Sequence, residues 1–129
     1  MALNLNSKVV IVGGKYAERE AYQYGVYICQ PNRTFQADVE YIAFCHLKRI
    51  KYIYRIVGEE RNIALSQSNI IVATTYLKDY PGKGSNVNDV YKLELFNPPK
   101  KHMGKGPYVR KQRYTTLEKY LEASETSQL

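Results

Sequence analysis

The chain has 129 residues, 24% of them charged and 44% hydrophobic, with a formal charge of +7. These values fit one globular domain, residues 1–129, with an ordinary core, so disorder is not the default reading. No apolar run approaches the roughly 18 residues that a membrane helix needs, so no membrane association is expected.

The N-terminus lacks the charged segment and long apolar core of a secretory signal, which predicts a cytoplasmic protein. KVVIVG (Lys8–Gly13) is a β-branched run closed by Gly13-Gly14 and predicts a buried strand. AEREAYQYG (Ala17–Gly25) combines good helix formers with a glycine at the stop position, which predicts a short helix. VYICQ (Val26–Gln30) predicts a second strand, ended by Pro31-Asn32.

YIAFCHL (Tyr41–Leu47) and IKYIYRIVG (Ile50–Gly58) are separated by Lys48 and Arg49, which predicts a hairpin. Strict alternation in the second run puts Ile50, Tyr52, Tyr54 and Ile56 on one face. Lys51, Ile53, Arg55 and Val57 then share the other. NIIVATTYL (Asn69–Leu77) is β-branched and predicts another strand, and PGKGSN (Pro81–Asn86) a loop. DVYKLELF (Asp89–Phe96) alternates and predicts a strand ended by Pro98-Pro99. YTTLEKYLEA (Tyr114–Ala123) predicts a helix capped by Thr115 or Thr116, with residues 124–129 a frayed tail.

Catalytic chemistry is poorly provided for. His46 and His102 are the two imidazoles, and neither stands in an HExxH or GxSxG setting. Cys29 and Cys45 form no CxxC and lack the histidines of a zinc pattern, so they read as reduced, buried thiols. VGGK after a strand lacks the full phosphate-loop pattern and reads as a tight turn. No catalytic residue, metal or cofactor is expected.

Charge patterning says more. Lys100, Lys101, Lys105, Arg110, Lys111 and Arg113 fall within an acid-free segment that also holds His102, Gly104 and Gly106. Cations along a solvated loop gain affinity for a phosphate backbone by releasing its counterions. Lys48, Arg49, Lys51 and Arg55 form a second acid-free group around the hairpin. Interleaved rings and cations can serve single-stranded nucleic acid, although alternation assigns Tyr52 and Tyr54 to the core.

The order RTF, VEYIAFCHLKRIKYIYRIV, DVYKLELFNPP and RYTTLEKYLEA, across Arg33–Ala123, resembles small PUA-like modules. The related EVE and ASCH groups include members that accompany prokaryotic restriction and defence systems. The resemblance implies an α+β fold: a curved mixed β-sheet or partly closed PUA-like barrel with flanking short helices. It also implies nucleic-acid binding, in some members with a pocket for a modified or flipped base. The chain lacks the tryptophan that many base cages use, so Tyr108 and Tyr114 beside the basic segment become the candidate stacking rings.

The sequence therefore predicts a non-catalytic module that binds DNA, RNA or another polyanion, alongside a protein partner that carries catalysis. One alternative is an interaction or inhibitor protein that captures a small nucleotide or docks on an acidic partner. Another is a small metal-dependent nuclease using Asp38, Glu40 or Glu94.

Overall fold

The computed structural model describes residues 4–13, 15–31, 35, 39–46, 49–96 and 113–122. In chain order the elements are β1 (Lys8–Gly13), α1 (Lys15–Tyr24), β2 (Val26–Cys29), β3 (Val39–His46) and β4 (Arg49–Ala64). Then come α2 (Asn69–Val72), α3 (Tyr76–Asp79), β5 (Val87–Leu95), β6 (Arg113–Thr116) and α4 (Leu117–Glu122). Short 3₁₀ turns at Leu65–Gln67 and Pro81–Lys83 flank α2 and α3.

The strands make one six-stranded mixed sheet in the order β2-β5-β4-β3-β1-β6. β1 runs parallel to β3, and the remaining neighbours are antiparallel. The fold is α+β, as expected. Its described strands leave an open sheet with β2 and β6 at the edges, so they do not close into a barrel.

Both faces are covered, which explains the unbroken apolar run of β1. Val10 and Val12 face a cluster with Ala21 of α1, Phe44, Tyr54 and Tyr91. Val9 and Ile11 face the opposite side, with Ala43, Ile53 and Leu117 and Tyr120 of α4. A third cluster on that second side joins Val26 and Val90 to Leu65, Ile71 and Tyr76. Complete burial of each such aliphatic side chain is worth about 1.5–3 kcal/mol relative to exposure.

α1 ends where its sequence says it should. Gly25 adopts φ +68, its N–H donates to the Ala21 carbonyl at 2.9 Å, and a Cβ there would sit 3.2 Å from the Leu93 carbonyl oxygen. The left-handed backbone and the close approach both select glycine.

Four expectations need correction. NIIVATTYL is not a strand but α2 and α3. The Ser68 hydroxyl accepts from Ile71 N–H at 3.1 Å, and Glu60 Oε1 accepts from Ile70 N–H at 2.9 Å. Thr74 Oγ1 accepts from Tyr76 N–H at 3.1 Å and opens the next turn. These caps satisfy helix-end donors and override the β propensity of the run.

The second correction concerns β4. It does not stop at Gly58 but continues to Ala64, with register shifts between Ile56 and Gly58 and between Glu60 and Ile63 on its β5 side. Third, a bulge opposite Ala43–Cys45 breaks its alternation, so Ile50 joins Ile53 on the α4 side rather than Tyr54 on the other. Arg49 also pairs with His46 and belongs to the strand, not to the connection.

Fourth, the segment starting at Tyr114 begins as β6, paired to β1, and turns helical only at Leu117. Thr116 Oγ1 then accepts from Lys119 N–H at 3.3 Å. Leu117 and Glu118 N–H donate to the carbonyls of Ser7 and Leu5 at 2.9 and 3.0 Å, docking the N-terminal segment on the helix end. The predicted tail at 124–129 lies outside the described residues.

Candidate functional site

Most of the basic segment, Lys100, Lys101, Lys105, Tyr108, Arg110 and Lys111, lies outside the described residues, as does Lys48. Backbone pairing puts Arg113 opposite Ile11 in β6 and Arg49 opposite His46 in β4. Arg55 is exposed and faces Tyr41 and Glu94 across its two ladders. Tyr114 is half-buried and packs with the cluster under α1. Since Tyr54 and Ile56 share that cluster, alternation sends Arg55 to the other face. The sheet therefore separates Arg55 from Tyr114.

The candidate acids do not assemble either. Asp38 lies outside the described residues, and Glu40 and Glu94 are exposed on strands separated by β4. Among the described residues no group of three or more His, Cys, Asp and Glu could hold a metal. Cys29 and Cys45 are buried, unbridged thiols in clusters on opposite faces.

A surface that the sequence did not single out stands on α1. Tyr16, Arg19 and Tyr22 recur at three-residue spacing, which sets them along one helix face. Tyr16 is 71% exposed and Tyr22 is 64% exposed. The Arg19 guanidinium lies 5.9 Å from the Tyr16 ring centroid, within cation–π range. Tyr22 stacks on Tyr52 of β4, with centroids 5.3 Å apart and planes 21° from parallel. Tyr52 in turn packs against the core beneath, so the outer ring is anchored through the inner one.

The acids of this helix turn away from that face. Glu18 and Glu20 are half-buried, each with one carboxylate oxygen withdrawn from solvent. Burial raises the Glu20 pKa, against the lowering effects of the Lys83 ammonium and of the Tyr76 hydroxyl that donates to it. Burial, followed by the Glu18 charge, pushes the Tyr54 hydroxyl up. The outer face of α1 thus carries two rings and a guanidinium and neither of these acids.

The C-terminal end of α1 is clasped by α3. The Tyr24 hydroxyl donates to Asp79, and that bond first, then burial, pushes its pKa up to about 12. Tyr24 and Tyr76 meet edge to face at 5.4 Å, Tyr76 packs on Tyr80 at 5.1 Å, and Lys83 lies 5.1 Å over the Tyr80 ring. Each acid here already serves a tyrosine, so the cluster fixes α1 in position.

Residue type alone does not distinguish Tyr16 and Tyr22 from buried tyrosines, because a tyrosine suits either setting. The helical spacing of Tyr16, Arg19 and Tyr22 was the available signal. Comparison of the chain with protein-family models and with curated proteins finds no match.

Proposed function

We propose that the protein is a non-catalytic nucleic-acid-binding module that stacks unpaired bases on Tyr16 and Tyr22. The observation that carries this reading is a pair of highly exposed rings, one held by a stack and one beside a guanidinium, on a face free of helix acids. Bases stack on such rings with little sequence preference, while neighbouring cations meet the phosphates. The net charge of +7 favours the encounter. In this proposal the segment Lys100–Arg113 adds backbone contacts, and the PUA-like resemblance extends the reading to single bases presented out of a helix. The protein would then act beside a partner that supplies the chemistry.

The test is fluorescence anisotropy of labelled single-stranded and duplex oligonucleotides at two salt concentrations. Tyr16→Ala with Tyr22→Ala should weaken single-strand binding by about 1–3 kcal/mol per stacked base. Arg19→Ala should reduce the slope of affinity against salt by roughly one phosphate contact. Binding unchanged by both variants sinks the proposal. Affinity for an acidic protein, with none for oligonucleotides of any length, selects the docking alternative.

A further inference from the structure

On the second side of the sheet a cavity of about 400 Å³ opens between α2 and the β2–β5 ladder. That volume lies in the range of small-molecule sites, roughly 300–1,000 Å³. Val26, with the backbone at Gly25 and Leu93, forms its base; Ile70 and Ala73 form the helix wall. Lys92, opposite Val26 in the ladder, and Asn69, at the start of α2, are its polar boundary.

Gly58 is the β4 partner of Lys92, and a Cβ there would meet Lys92 Cβ at 3.4 Å and Ile70 Cδ1 at 3.9 Å. A larger side chain at that register would push into Ile70 and Lys92 at the cavity wall. Gly58 thus lies beside the Lys92 and Ile70 side chains that border the cavity.

Lys92 is the one charged residue among those that line the cavity. None of its lining residues is acidic. Two acids bond to residues of its wall and hold them in place: Glu60 accepts from Ser68, Asn69 and Ile70, and Asp79 accepts from the Tyr24 hydroxyl. Thr74, also on the wall, donates its hydroxyl to the Ile71 carbonyl and accepts from Tyr76 N–H. The polar groups left to meet a ligand are the Lys92 ammonium and the Asn69 carboxamide. A lone lysine suits one negative charge, not a di- or triphosphate.

We propose that this cavity binds a small organic monocarboxylate, its apolar body against Val26, Ile70 and Ala73 and its carboxylate at Lys92. The proposal stands apart from the stripe on α1, since the two use different helices and different residues.

The test is a methyl NMR titration of the full chain with octanoate, and with octan-1-ol as the uncharged control. Octanoate should shift the Val26, Ile70 and Ala73 methyls saturably. Lys92→Met should weaken octanoate by about tenfold, the scale of one charge-assisted hydrogen bond, and leave octan-1-ol unchanged. Lys92→Arg should retain binding, and Ala73→Trp should abolish it by filling the space. Both positions are exposed, and thermal melts verify that the variants fold. Tyr16→Ala with Tyr22→Ala should bind octanoate as the wild type does. The proposal is overturned by absent or non-saturating shifts, by shifts spread to exposed Val72 and Leu95, or by octanoate affinity indifferent to Lys92→Met.

Discussion

Tyr22 of α1 lies over Tyr52 of β4, the outer ring exposed and the inner one resting on the core. This contact couples the helix surface to the sheet, because moving either ring uncovers the other. A double-mutant cycle with Tyr22→Ala and Tyr52→Ala, followed by urea unfolding, should give a coupling of about 0.5–1.5 kcal/mol. A coupling near zero means that the outer ring is not positioned by the inner one.

Asn62 and Asp89 should behave as a unit. Asn62 sits at φ 52 in the irregular part of β4, and its N–H donates to Asp89 Oδ1 at 2.7 Å. Asp89 is buried, and its second oxygen has no hydrogen-bond partner among the described residues. Asn62→Gly should be nearly neutral, whereas Asn62→Val should cost about 1–2 kcal/mol for the left-handed backbone. Asp89→Ala strands a backbone donor and should cost about 1–3 kcal/mol. Chemical denaturation measures all three, and equal costs for glycine and valine at position 62 contradict the conformational account.

Glu60 makes the stability of the α2 region depend on acid. The Ile70 N–H first, then the Ser68 hydroxyl and Asn69 N–H, stabilise its carboxylate and hold its pKa below the usual 4.5. A depressed folded value means that the contribution is complete above pH 4.5 and disappears as pH falls through the folded pKa. Glu60→Gln should therefore be less stable than the wild type near neutrality, with the gap closing in acid. Thermal melts across that range check it, and a gap that widens on acidification refutes it.

Much of the architecture was legible because local signals and tertiary packing agree. The run Lys8–Gly13 is β-branched and buried on both faces, so propensity and environment select the same strand. Gly25 stops α1 through a backbone requirement that a single residue can announce. The hairpin partners and β5 follow from alternation, and Thr116 caps α4 from the position just before its first turn.

What the tertiary structure decided involves groups distant in sequence. Asn69–Leu77 has the composition of a strand, yet Glu60, some ten residues upstream, supplies acceptors that make it helical. A bulge between β3 and β4 moved Ile50 to the other face, and no periodicity within one strand can disclose an extra residue in a ladder. The same holds for the surface. Composition announced tyrosine and positive charge, but only packing separates the exposed Tyr16 and Tyr22 from the buried Tyr54 and Tyr120. A side chain with an apolar ring and a polar tip is stable in either place, so its neighbours make the choice.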